Sequence, residues 1–189
     1  MPQAKDGGSL KISMENAPSF PARKPTRLQN YDYSQNGCYF VTVCAKDRRP
    51  ILSTIVGDDA FIAPQVKLTE IGKIAEKHIQ KINLVYADVT VEKYIIMPDH
   101  MHLLLFIDGF GNGTMKASSP TNLSTVIRSL KTFVTRDVGK SIWQCSFYDE
   151  IIKNETHFQR AWEYTQYNAL KEYGQKKRTD EKPTEVATI

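Results

Sequence analysis

Two apolar runs meet at Pro98-Asp99, and no other segment constrains the fold as tightly. "ADVTVEKYIIM" (87 to 97) and the run from 100 to 108, which begins "HMHLLLF", are rich in aliphatic and β-branched residues. A Pro-Asp pair between two such runs is a tight-turn signal, so the segment predicts a β-hairpin. Side chains at i and i+2 of a strand share a face. His100 and His102 therefore point one way while Met101 and Leu103 point the other. Two imidazoles side by side can chelate one divalent metal. The competing reading is a pair of ordinary, partly exposed histidines at a sheet edge, and His-x-His alone does not separate the two.

The flanking sequence supplies partners for the hairpin. "GCYFVTVCA" (37 to 45) reads as a buried strand, and "FIAPQVKL" (61 to 68) as a short strand or loop. Leu68, Ile71, Ile74, His78, Ile79 and Ile82 recur at helical spacing and predict a helix over 69 to 83. "GFGNGTMKASSPTN" (109 to 122) is a long Gly/Ser/Pro linker. Leu123, Val126, Ile127, Leu130, Phe133 and Val134 then mark a second helix, with Arg128 and Lys131 on its other face. "SFYDEII" (146 to 152) predicts a further strand. Asn154 can cap a third helix running to about Tyr173, with Gly174 as its stop. The order β-α-β-β-α-β-α predicts an α+β fold of the ferredoxin-like, split β-α-β kind: an antiparallel sheet with helices packed mainly on one face. Residues 1 to 25 read as a polar, flexible arm, 26 to 174 as one domain and 175 to 189 as a charged tail.

Bulk properties narrow the functional classes. The net charge of +4 allows a polyanionic partner without demanding one. The three cysteines are odd in number and form no C-x-x-C pair, which argues against a disulfide framework or structural zinc and for a reducing, cytoplasmic setting. The N-terminal stretch lacks the apolar core of a signal peptide, and no run approaches the length of a membrane span. "GKS" at 139 to 141 is no P-loop, because Val134 stands where the first glycine is required. Leu104 breaks the His-x-His-x-His pattern of a histidine triad.

The third helix carries a second constellation. Tyr164 and Asn168 lie one turn apart on one face, beside a stripe of Phe158, Trp162, Thr165 and Ala169 that can pack on the sheet. An amphipathic border tyrosine and a surface amide would look the same. A joint role with the histidines requires this helix to cover the strand bearing His100 and His102.

Four ordered blocks resemble the REP-associated tyrosine transposases, of the single-tyrosine HUH superfamily. They are "RLQNYDYSQNGCYFVTVCAKDRR" (27 to 49), "YIIMPDHMHLLL" (94 to 105), "WQCSFYDEIIKNETHF" (143 to 158) and "EYTQYNALK" (163 to 171). The resemblance implies metal ligands at His100 and His102, a nucleophile at Tyr164 and a third ligand at Asn168. Tyr167 is the rival nucleophile, but its partner one turn on is Lys171, which is no metal ligand. The family often has Asn-Pro where this chain has Asn168-Ala169, and alanine continues a helix where proline would not. The implied activity is cleavage and strand transfer of single-stranded DNA through a 5′-phosphotyrosine, with Mg²⁺ or Mn²⁺ as the expected cofactor. Single-stranded or hairpin DNA is the expected partner. Arg23, Lys24, Arg27, Arg128 and Lys131 are candidates for its phosphates, with a solvated helix face and a loose arm as the alternative. Two other functional readings stay open at this point: a domesticated nucleic-acid-binding protein without cleavage, and a metal-dependent phosphoesterase. A homodimer, and a site completed in cis or in trans, are equally undecided by sequence.

Overall fold

A computed structural model describes residues 32–33, 35–57, 65–108 and 121–180, with side chains through 169. Its elements are β1 (Gly37–Cys44), β2 (Ser53–Val56), β3 (Gln65–Leu68), α1 (Glu70–Gln80), α2 (Ile82–Val85), β4 (Val89–Ile96), β5 (His100–Ile107), α3 (Leu123–Val138), β6 (Tyr148–Ile152) and α4 (Glu155–Asp180). The main sheet is antiparallel with order β4-β5-β1-β6. It holds two split β-α-β units: β5 lies between β1 and β4, and β1 lies between β5 and β6. The expected α+β, ferredoxin-like class is thus the observed one. Strands β2 and β3 form a separate two-stranded ribbon, of which only the β3 region carried a sequence signal.

The sheet has two differently used faces. Tyr39, Val41 and Val43 of β1 and Met101, Leu103 and Leu105 of β5 face α1 and α3. There they meet Ala75 and Ile79 of α1 and Val126, Ile127, Leu130 and Val134 of α3 in the principal core. The opposite face carries Cys38, Phe40, Leu104 and Phe106, packed against Phe158, Ala161 and Trp162 of α4. Two helices therefore share one face, and among the described residues α4 alone covers the face to which His100 and His102 belong.

A bulge in β4 keeps this division consistent. Val91 pairs with Leu105, but Lys93 pairs with Leu104, so Glu92 is the extra residue. Directly opposed residues share a face. The bulge thus leaves Val91, Tyr94 and Ile96 on the principal core and sends Lys93 to the α4 side.

Side chains start each long helix. Thr69 Oγ1 accepts from Gly72 N, Asn122 Oδ1 from Ser124 N, and Asn154 Oδ1 from His157 N, the last as the sequence predicts. Gly139 ends α3 in the left-handed region (φ 77°), with its N–H donating to Thr135 and Arg136 carbonyls; the "GKS" stretch is a helix stop. Gly174, expected to stop α4, does not: the helix continues to Asp180, so the first residues of the expected tail are helical. One glycine in a helix costs only about 1 kcal/mol, which the helix formers on both sides can offset.

Gly72 has a different constraint. The first turn of α1 sits on the backbone of residue 52, where Thr69 N donates to Leu52 O at 3.0 Å. A Cβ at position 72 would overlap the Leu52 carbonyl oxygen. Gly72→Ala should therefore destabilise the protein by about 1–3 kcal/mol through overpacking, although alanine is the better helix former by about 1 kcal/mol. The check is urea unfolding: a lower midpoint at unchanged slope is expected, and a raised midpoint contradicts the close approach.

Candidate active site

Strand β5 opens on His100, and its two histidines converge. His100 Nε2 and His102 Nε2 lie 3.0 Å apart, with both side chains largely buried. The far nitrogen of each ring has its own partner. His100 Nδ1 pairs with Asp99 Oδ1, and His102 Nδ1 with Thr42 Oγ1 at 2.9 Å. Asp99 is the turn aspartate of the hairpin, and its carboxylate also receives Arg48 Nε at 3.0 Å. The carboxylate on Nδ1 orients the His100 ring so that its Nε2 faces inward, toward His102. Burial, reinforced by the adjacent His100, pulls the pKa of His102 down to about 3, so its ring is neutral at ordinary pH. The pair thus offers two imidazole nitrogens aimed at one point. Asp99, Thr42 and Arg48 carried no motif signal, because each is brought to the histidines by strand pairing or by the turn.

Helix α4 covers the pair. The Tyr164 ring packs edge-on against His102, with centroids 5.2 Å apart and planes at 74°. Phe40 stacks on His102 at 5.0 Å and meets Tyr164 edge-on at 5.9 Å, so the three rings form a close triangle. Tyr164 keeps 40% of its surface exposed, so one side of the ring is accessible to a substrate. Among the described residues, Tyr167 stacks on neither histidine, and it is 52% exposed. Asn168, one turn beyond Tyr164, is buried at 6% exposure, and its Nδ2 has no hydrogen-bond partner among the described residues. A buried amide nitrogen without a partner is uncommon and calls for an explanation. Cys38, on the same face, is no rival nucleophile: burial, with a smaller contribution from Glu92, pushes its thiol up to about 12.

The basic candidates fall into three groups. Arg23, Lys24 and Arg27 lie outside the described residues. Arg128 is exposed on the wall of a groove of about 650 Å³ beside α3, on the far side of the sheet from α4. Lys131, expected at a phosphate, instead donates to the carbonyls of Gln144, Cys145 and Ser146 at 2.6, 3.1 and 3.3 Å. Its three N–H donors are thereby occupied, and burial lowers its pKa. Lys131 holds the loop between α3 and β6.

No family model matches the chain. A Haemophilus influenzae protein described as uncharacterized is 25% identical over 166 residues, covering 78% of this chain and 88% of that one. Among solved structures, a REP-associated tyrosine transposase bound to a REP hairpin aligns with TM-score 0.57 and 22% identity, over 77% of this chain and 73% of that one. The chain has a REP tyrosine transposase-like fold. Among the described residues no helix is long and apolar enough to cross a membrane.

The seating of α4 depends on Trp162. Lys93 Nζ lies 4.1 Å from the Trp162 ring centroid and donates to Gln166 Oε1 at 3.0 Å, while Phe158 packs on Phe106 at 5.9 Å. Trp162→Ala should cost about 2 kcal/mol and loosen α4 before the sheet. Hydrogen exchange checks this: α4 amides should lose protection while β5 amides keep theirs, and unchanged α4 protection would contradict the packing.

Proposed function

We propose that this chain is a metal-dependent DNA strand-transfer enzyme that cleaves and rejoins single-stranded DNA through Tyr164. The observation that carries the reading is the packing of Tyr164 from α4 directly on His102 of β5. Neither the helix nor the strand predicts that contact by itself. The transposase fold supports a DNA substrate, and the hairpin bound to the structurally similar transposase supports hairpin DNA in particular.

The donor set fits a small divalent cation. His100 and His102 would hold it through Nε2, and Asn168 through its amide oxygen, the end of this buried side chain that can bind a cation. Two nitrogens and one oxygen suit Mg²⁺ or Mn²⁺, with the remaining positions left to oxygen ligands. When bound, such an ion polarises the scissile phosphate and offsets the charge that develops on it.

The chain's own residues supply the rest. A tyrosine hydroxyl, with a pKa of about 10, is a weak nucleophile, so its reactivity depends on placement. Phe40 and His102 fix the Tyr164 ring, and helix geometry ties it to Asn168 one turn away. Tyr164 Oη gives up its proton as it bonds to phosphorus, and the bond from phosphorus to the 3′ oxygen breaks. The 5′-phosphate stays on the tyrosine. The departing strand takes a proton and leaves with a 3′-hydroxyl. Attack by another 3′-hydroxyl reverses these steps and joins a new strand without ATP. Asp99 and Thr42 keep both imidazoles oriented throughout. A reaction on DNA by a chain with unpaired Cys38, Cys44 and Cys145 suits a reducing cytoplasm.

The test is incubation with single-stranded hairpin oligonucleotides and Mn²⁺, followed by denaturing electrophoresis. A covalent adduct mapping to Tyr164 is expected, and chelator should abolish it. Tyr164→Phe should retain DNA and metal binding but lose cleavage by on the order of 10³-fold or more, while Tyr167→Phe loses little. His100→Ala and His102→Ala should fold and fail to cleave, and Asn168→Ala should lower metal affinity and rate together. End-labelled DNA should show the fragment bearing the original 3′ end attached to protein. An adduct in Tyr164→Phe, attachment of the other fragment, or full activity in chelator contradicts the assignment. Separately, Asp99→Asn should weaken metal affinity about 10–100-fold at unchanged fold, measured by Mn²⁺ titration.

A further inference from the structure

A pocket beside the histidine pair is used by none of the steps above. Strand pairing sets His102, Thr42 and Tyr148 in one row across β5, β1 and β6. Opposed residues share a face, so Thr42, already bonded to His102, stands between it and Tyr148. Neighbouring strands are about 4.8 Å apart, which places Tyr148 about 10 Å along the sheet from His102. Thr42, Cys44, Arg48, Gln144 and Tyr148 wall a pocket of about 450 Å³ at this end of the row. That volume lies within the roughly 300–1,000 Å³ of small-ligand sites.

The walls are arranged before any ligand arrives. After β1 the chain passes through Asp47 (φ 57°) and Arg48 (φ 53°), two consecutive non-glycine residues in the left-handed region. Residues with side chains avoid that region unless their surroundings hold them there, and such outliers cluster at functional sites. Here Arg48 is held by Asp99 through Nε and by Cys44 Sγ, which accepts from Nη1 at 3.0 Å. A guanidinium has five N–H donors, and the Arg48 side chain is 55% exposed, so its outer edge faces the pocket. The Gln144 wall is fixed through its backbone, its N–H donating to Cys44 O at 3.0 Å and its carbonyl accepting from Lys131. Tyr148 is 54% exposed, an aromatic face turned to solvent on a sheet edge.

A planar cation and an open aromatic ring in one preformed pocket match the two parts of a nucleotide. Guanidinium binds phosphate oxygens in a fork, and an exposed tyrosine stacks on any base. We propose that this pocket seats the nucleotide adjoining the scissile bond, with Arg48 holding its phosphate and Tyr148 stacking on its base. The proposal rests on the single-stranded DNA reading above and adds where the strand runs: from Tyr164 and the histidines across Thr42 to the β6 edge. Recognition there is of phosphate and stacked base, so it is tolerant of sequence. Lys131 then acts as a positioning residue for the pocket wall.

The experiment uses the full chain and a DNA hairpin with an oligothymidylate flank in which 5-iodouracil replaces thymine. Irradiation should cross-link the flank to the peptide containing Tyr148. Tyr148→Ser should weaken binding about ten-fold, and Tyr148→Phe should restore it. Arg48→Gln should weaken binding and reduce the slope of log K against log salt by about 0.7, the loss of one phosphate contact on a single strand. A purely structural role for Arg48 would lower affinity without changing that slope, and this outcome overturns its assignment. Cross-links confined to the groove beside Arg128, with Tyr148→Ser binding as wild type, overturn the pocket. The two readings fail separately. A Tyr148 cross-link without a Tyr164 adduct keeps the pocket and removes the cleavage chemistry. A Tyr164 adduct with the flank cross-linked elsewhere does the reverse. No binding of the hairpin at all removes both.

Discussion

Strand β5 is hydrogen-bonded on both sides, to β4 and β1, and every second residue has a different task. Met101, Leu103, Leu105 and Ile107 are fully or almost fully buried against α1 and α3. His100, His102, Leu104 and Phe106 face α4. A register shift of one residue would exchange the two sets, burying imidazoles in the principal core and exposing its leucines. The large apolar surface that β5 commits to the core therefore also determines where the histidines point. Nothing about the site has to be specified separately at that step.

The second dependence is polar. Arg48, Asp99, His100, His102 and Thr42 form one connected chain of contacts from the exposed end of β1 to the middle of the sheet. Each imidazole has one nitrogen bound outward and one turned to the other ring. In a poorly hydrated setting such a chain orients its members strongly, because each group has few alternative partners. The burial that pulls the His102 pKa to about 3 also keeps its ring uncharged and able to donate a lone pair. The left-handed backbone at Asp47 and Arg48 is the local strain that accompanies this arrangement.

Helix α4 joins the two halves of the site without any bond that its sequence announces. Its hold on the sheet comes from Phe158, Ala161 and Trp162 against Phe106, Cys38 and Leu104, with Lys93 over the indole. The bulge at Glu92 puts Lys93 on that side. A strand without the bulge would leave Lys93 on the opposite face and remove one of the contacts that seat the helix. The position of Tyr164 over His102 is thus partly a consequence of one extra residue in a neighbouring strand.

Local chemistry made much of this legible in the chain itself. Runs of β-branched, aromatic and aliphatic residues marked β1, β4 and β5, period 3.6 marked α1 and α3, and Pro98-Asp99 marked the hairpin, because these signals arise within a few residues of one another. The same-face placement of His100 with His102, and of Tyr164 with Asn168, comes from strand and helix geometry alone. The β2 strand had no such signal, since four residues with mixed exposure show no clear period. Gly174 misled because a glycine stops a helix only where the backbone turns left-handed, as at Gly139, and tertiary packing decides whether it does. Lys131 misled because its acceptors are carbonyls 13 to 15 residues away, brought in by the return of the chain to β6. Asp99 as the partner of His100, Thr42 as the partner of His102 and Arg48 beside both exist only once β1 pairs with β5. The sequence by itself determined which side chains share a strand or a helix face. Only the tertiary structure decided that the tyrosine face and the histidine face meet, because that contact is set by long-range packing that no local period encodes.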